Sequence, residues 1–295
     1  KGGGPANFGG RVSSVLSVNL RNGDSRDLKV QGGIGLISSR LLVEGPLKKD
    51  KTSFLVSGRT AYPNWMLKQM KDPDLYQSEA GFYDLNLKVN HVIDEKNVIT
   101  FSGYLSDDNF EFASDTSYVW KTKAAILKWD HRFSNKFLMQ TQAVISDFQS
   151  NISNTQNNYD FAYQSGILNY QGKVDFSYEL SNTHKFDFGL SSLYYVFNNG
   201  EFLPGGENSV SEEIIIPQEK AIESAIYIND EFTISPRVSL VYGVRASNYM
   251  ALGGTYYEFN PNQPRSIASI SDTLNFAQGE VAKSYLGLEP RASFR

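Results

Sequence analysis

The stretch GILNYQGKVDFSYEL, residues 166–180, alternates without a break. Leu168, Tyr170, Gly172, Val174, Phe176, Tyr178 and Leu180 fall on one side, and Ile167, Asn169, Gln171, Lys173, Asp175, Ser177 and Glu179 on the other. A period of two is that of a β-strand with one apolar and one polar face. Fifteen residues at about 3.3 Å each extend close to 50 Å, whereas an ordinary strand has about 5–6 residues. A globular sandwich has no use for such a strip. A tilted strand that crosses a bilayer and projects beyond it does.

The pattern recurs along the chain. Tyr83, Leu85, Leu87 and Val89 oppose Asp84, Asn86, Lys88 and Asn90. Ala125, Leu127, Trp129 and Phe133 oppose Thr122, Lys128, Asp130 and Arg132, with Lys123 and His131 on the apolar side. Val238, Leu240, Tyr242 and Val244 oppose Ser239, Gly243 and Arg245. The polar faces also carry Lys173, Asp175, Glu289 and Arg291. A wall bearing full charges of both signs faces water or a polar filling, because unpaired charge is too costly in a dry core.

Connections alternate in length. Short ones fall at 48–51, 94–97, 134–136, 181–184 and 235–237, and long ones near 62–80, 106–119, 149–160, 198–218 and 249–283. Tight turns on one side and long loops on the other characterise transmembrane β-barrels. The reading gives about twelve strands, at 26–36, 38–47, 51–61, 81–93, 97–106, 120–133, 136–148, 160–180, 184–197, 218–234, 237–248 and 284–295. The expected class is therefore all-β, an antiparallel up-and-down barrel, with Tyr170, Phe176 and Tyr178 as candidates for its interfacial girdles. The one helical candidate, PNWMLKQMKDPDL, is bracketed by prolines and reads as a loop with a helical turn.

Composition narrows the function classes. The 28 Lys and Arg against 32 Asp and Glu leave no basic excess, so nucleic acid is not an expected partner. There is no cysteine, hence no disulfide or thiolate site. Tyr and Phe number 17 and 19, yet mean hydropathy is −0.37, as suits strands wetted on one face. His91, His131 and His184 show no paired metal spacing and lie near short turns. Gly-x-Ser-x-Gly is absent, and GGIGLI lacks the third glycine of a dinucleotide loop. No catalytic residue, metal site or cofactor is expected.

AIESAIYINDEFTISPRVSLVYGVR (221–245) resembles a recurring hairpin of TonB-dependent outer-membrane receptors, marked by Tyr227, Asp230, Glu231, Pro236, Arg237, Gly243 and Arg245. LEPRASFR (288–295) is similar to another barrel strand of that family, and GGIGLISSRLLVEGPLKKDKTSFLVSGR (32–59) to its first strands. PANFGGRVSSVLSVNLRNG (5–23) resembles the end of the family's plug domain, with Phe8, Gly9, Gly10 and Arg11 before the last plug strand. The resemblance implies residues 1–25 as the end of the plug, 26–295 as the first half of a 22-stranded barrel, and an internal piece of a longer protein. It implies active import of a ligand across the bacterial outer membrane. The implied partners are a TonB-type energy-coupling complex acting on the plug, outer-membrane lipid, a small ligand or oligomer, and a surface lipoprotein as a further candidate. A passive porin and a soluble carbohydrate-binding module are the rival readings.

Site expectations follow. Trp65 in the first long loop, and Asp107, Asp108, Phe110, Phe112 and Tyr118 near the second, are candidate ligand-binding residues. The acidic run 106–116 lacks the spacing of a calcium loop, and Trp120 is expected in the outer girdle. Arg11, Lys88, Lys128, Arg132 and Arg245 are expected at the contact between plug and barrel lumen.

Overall fold

The computed structural model describes residues 4–10, 15–113, 116–154, 160–206 and 209–294. Those residues form one antiparallel sheet: β1 (Lys29–Ile34), β2 (Ser38–Lys48), β3 (Thr52–Ala61), β4 (Glu79–Val92), β5 (Asn97–Phe112), β6 (Thr116–Ser134), β7 (Phe137–Asn154), β8 (Phe161–Glu179), β9 (His184–Pro204), β10 (Ile214–Ile215), β11 (Glu219–Ser235), β12 (Val238–Phe259) and β13 (Ile270–Phe294). Each strand pairs with the next in sequence, except that two-residue β10 hangs on β9 and β11 takes its place. Twelve strands thus follow one another as an up-and-down meander, in keeping with the alternation. Two helices, α1 (Asn64–Leu67) and α2 (Pro73–Tyr76), sit in the β3–β4 connection, where the proline-bracketed stretch is expected to turn once.

Strand boundaries match the sequence reading on the short-turn side and depart from it on the other. The expected loop at 106–119 is mostly strand: β5 runs to Phe112 and β6 starts at Thr116, paired from Phe112↔Thr116 down to Asn97↔His131 without a register shift. β7 continues to Asn154, β9 to Pro204 and β12 to Phe259. Once a hairpin leaves the apolar layer both faces are free to be polar, so the hydrophobic signal fades while backbone pairing continues. β12 and β13 bend where their register shifts around Leu252, with Gly253, Gly254 and Gly279 at positive φ.

The two faces have opposite chemistry. The inner face, defined here as the one touching residues 4–24, carries Glu44, Lys88, Lys173, Asn229 and Arg245. The outer face exposes Leu85, Phe101, Leu127, Trp129, Phe133, Tyr170, Tyr178, Leu190, Ile226 and Ile228. So large an apolar surface belongs in lipid rather than water. At the short-turn end its rings form a chain: Trp129–His131–Phe133–Phe137 at 5.6, 4.4 and 4.8 Å, then Phe176–Phe188 at 5.2 Å. Phe176 and Tyr178 thus join this belt, both within 6 Å of Phe137.

Candidate functional site

The inner face holds the N-terminal segment mainly by its main chain. Asn229 on β11 accepts from the Ala6 N–H at 2.7 Å, and Arg245 on β12 donates to the Ala6 carbonyl at 3.4 Å. Arg291 on β13 donates to the carbonyls of Pro5, at 3.2 Å, and Phe8. Lys173 on β8 lies 5.5 Å from the Phe8 ring centroid. Farther along, Lys88 on β4 donates to the Leu20 carbonyl, and Glu44 on β2 receives a two-pronged bond from Arg21, one prong at 2.8 Å. Residues 5–8 therefore lie against β8 and β11–β13, and residues 20–21 against β2 and β4.

Glycines permit the approach. A Cβ on Gly9 would overlap the Arg245 side chain, and Gly10 has φ +69° with Glu223 where a Cβ would go. The Phe-Gly-Gly run thus gives both the turn and the close contact. Beyond it, Asp24 caps the approach to β1 by accepting from the N–H groups of Arg26 and Asp27. The Lys29 ammonium first, then those two N–H groups, hold the Asp24 carboxyl below the usual carboxylate range.

Arg245 is 5% exposed, with its guanidinium 5.5 Å from the Tyr227 ring centroid and 3.9 Å from the Glu289 carboxylate. Glu289 also pairs with Arg291 at 2.7 Å and accepts from Ser247 at 3.0 Å. Tyr227 donates to Asp175 at 2.6 Å, and Asp175 pairs with Lys173 at 3.0 Å. Such a Lys-x-Asp spacing puts both ends on one face of a strand, and it recurs at Lys128/Asp130 (2.9 Å) and Lys185/Asp187 (3.8 Å). The register sets Asp130, Gln140 and Asp175 side by side on β6, β7 and β8. Between this belt and residues 7–8 and 17–20 lies a cavity of about 1220 Å³.

The expected lumen residues divide. Lys88 and Arg245 meet the N-terminal segment, Lys128 pairs with Asp130, and Arg132 lines the cavity. Arg11 lies outside the described residues, as does Asp115 of the acidic run 106–116. Lys173, Asn229, Glu289 and Arg291 do as much as the expected set, and the same alternation marks their faces. Which of them meets the segment is a tertiary matter.

The expected ligand residues do not form one loop site. Trp65 donates its indole N–H to the Leu36 carbonyl at 2.9 Å, tying the β3–β4 connection to the β1–β2 turn. Asp107 and Asp108 are neighbours on β5 and point to opposite faces, so they cannot share a cation. Asp107 pairs with Lys121 on the outer face at 3.4 Å. Phe110, Phe112 and Tyr118 fall on the inner face of the projecting β5–β6 hairpin, and Trp120 joins them. This corrects the expected girdle position of Trp120: it sits opposite Asp108, in register with Lys128. Phe110–Tyr118 and Tyr118–Trp120 are spaced at 6.4 and 6.0 Å, an aromatic row open to the interior.

No family model and no curated protein matches the chain. Solved structures do. The copper transporter OprC superposes with a TM-score of 0.63 over 93% of this chain at 11% identity. The ferric preacinetobactin receptor BauA from Acinetobacter baumannii gives 0.60 over 92% at 9%, and the ferric citrate transporter FecA 0.58 over 87% at 14%. The chain spans 43%, 45% and 38% of those proteins, less than half of each. Identities this low establish fold alone. That fold is the barrel wall of TonB-dependent outer-membrane receptors.

Proposed function

We propose that this chain is part of an outer-membrane importer of the TonB-dependent kind, with residues 1–25 as the end of its plug and residues 26–295 as barrel wall. One observation carries the reading: a segment lies against the charged inner face and is gripped there by its carbonyl and amide groups. A passive porin has no use for such a grip. Main-chain bonds to charged side chains contribute about 1.5–3 kcal/mol each, so the hold is firm yet breakable one bond at a time. In this reading a TonB-type complex pulls on the plug, and the ligand travels along the polar interior past the Lys-x-Asp belt.

Ligand first meets the projecting hairpins. The row Phe110, Tyr118 and Trp120, with Asp108 opposite Trp120, offers stacking faces beside a carboxylate, and an aromatic pair contributes about 0.5–1.5 kcal/mol beyond the area it buries. Trp65 serves the shape of its loop. A small ligand, an oligomer and a lipoprotein-borne cargo are all compatible with this row.

The test is uptake by cells making the full-length protein, screened against metal chelates, peptides and glycans, before and after the inner-membrane proton gradient is dissipated. Import that stops on dissipation supports the proposal. Uptake unaffected by dissipation, with open conductance in planar bilayers, would establish the porin instead.

A further inference from the structure

Two arginines face each other on the inner wall. Arg40 on β2 and Arg59 on β3 are register partners, and the two-residue period puts them on the same face as Glu44 and Lys88. Like charges set directly opposite destabilise a sheet unless something compensates them. Asp84, the partner of Arg59 on β4, compensates one: it accepts from Arg59 Nε at 2.8 Å and pairs with Nη2 at 2.7 Å. The Arg59 guanidinium also lies 4.9 Å from the Phe82 ring centroid, so it is fixed on two sides while its side chain stays 59% exposed. Arg40 is exposed, lies across Gly33 on β1, and has no acid partner among the described residues.

The pair stands above the N-terminal segment. Leu20 and Arg21 meet the wall at Lys88 and Glu44, four residues nearer the short turns than Asp84 and Arg40. Toward the projecting hairpins the pair continues into the aromatic row: Phe82 is the register partner of Asp108, and Asp108 of Trp120. One line of inner side chains thus runs from Tyr118 and Trp120 through Phe82 to Arg59 and Arg40. Asp108, the other acid on this line, is two strands from Arg59 and three from Arg40, at least about 10 and 14 Å at the backbone. We propose that Arg40 and Arg59 bind an oxyanion, a carboxylate or phosphate group, of the ligand that has passed the aromatic row. This names a chemical class for the imported ligand and rests on the importer reading above. Guanidinium forks match both groups in geometry, and the oxyanion supplies the charge that Arg40 lacks. An acid of the plug is the competing occupant; the segment's crossing below the pair argues for the ligand instead.

The test uses the full-length protein in lipid nanodiscs, with empty nanodiscs subtracted, and small soluble probes. Terephthalate and phenyl phosphate are the oxyanions, benzyl alcohol the neutral ring and benzylammonium the cation. Ligand-observed NMR titration should show at least one oxyanion bound about threefold or more tighter than benzyl alcohol, an advantage that shrinks as salt rises. Arg40→Gln and Arg59→Gln should each weaken oxyanion binding about threefold, and Asp84→Asn should strengthen it. A misfolded variant does not bind better, so the opposite sign guards against a folding artefact. Equal binding of the oxyanions and the neutral ring, a preference for benzylammonium, oxyanion binding unchanged in both arginine variants, or an Asp84→Asn variant that binds no better overturns the proposal. So does a wild type that binds no oxyanion while Arg40→Gln speeds hydrogen exchange in the plug, which makes a plug acid the partner. Gradient-dependent uptake of a neutral or cationic ligand sinks this inference and keeps the importer reading; oxyanion binding with uptake that ignores the gradient does the reverse.

Discussion

Leu127→Arg separates a lipid wall from a water-exposed sheet. Leu127 is 52% exposed on the outer face of β6, between Phe101 and Ala143 on the flanking strands. It lies seven residues above Ser134, where β6 ends. At about 3.3 Å per residue and a tilt near 45°, that is roughly 16 Å above the short-turn rim, inside an apolar band about 25 Å tall. Arginine near mid-bilayer costs about 2–4 kcal/mol; an exposed site in water would register within about 0.5 kcal/mol. The control is Lys128→Leu, one residue on and facing inward. It removes an ion pair with Asp130 whose side chains are 31% and 36% exposed, so its cost is about 0–1 kcal/mol. Urea titration of the full-length protein folded in lipid vesicles, followed by tryptophan fluorescence and heat-dependent gel mobility, reads both. If Leu127→Arg unfolds at the wild-type midpoint, or Lys128→Leu proves the more damaging, the assignment of faces is wrong.

Val174→Arg, on the same face of β8 opposite Leu190, should also lose about 2–4 kcal/mol in the same titration. Gly10→Ala forces a side chain into the left-handed region and against Glu223, costing about 1–2 kcal/mol; hydrogen exchange should quicken in residues 4–10 and stay unchanged in the barrel strands. Asn229→Ala strips the Ala6 N–H of its acceptor; the Ala6 amide should exchange at least about tenfold faster, equivalent to about 1.4 kcal/mol of lost protection. Because Asp24 has a depressed folded pKa, its contribution is complete above the ordinary carboxylate pKa and is lost as pH falls through the folded value. An NMR titration of its carboxyl carbon should show a midpoint well below the ordinary value of about 3.9, and a midpoint at that value would discount the Lys29 contact.

Where lipid acts on one face, the sequence is a reliable guide. Residues 166–180 alternate because one side must be apolar and the other polar, and β8 ends at Glu179 where the alternation stops. β11 ends at Ser235 and β12 begins at Val238, around the turn that Pro236 and Arg237 suggest. Beyond the lipid that constraint lapses, so the acidic run from Ser106 reads as loop although its backbone stays in the ladder to Phe112. Trp120 departs from its expected place for a related reason: aromatic identity suggests a girdle, but parity with Lys128 governs its direction. Among the inner charges, alternation marks Lys173 and Arg291 as readily as Lys88. It is silent on which of them will meet a carbonyl of residues 5–20, since that depends on where a distant segment crosses the wall.

The central claim is that one face of this sheet meets lipid while the other is wet and filled by polypeptide. These 295 residues hold no cysteine, so single substitutions such as Tyr170→Cys, Gln171→Cys, Lys173→Cys and Val174→Cys can each carry a spin label in the full-length protein reconstituted in lipid, with any cysteine elsewhere in it replaced by serine. The measurement is the accessibility of each label to oxygen, which concentrates in the bilayer, and to a water-soluble nickel chelate. Positions 170, 172, 174 and 176 should favour oxygen, and 169, 171, 173 and 175 should favour the nickel chelate or be shielded from both. A uniform profile along 168–178, or one with the two sets exchanged, would contradict the account.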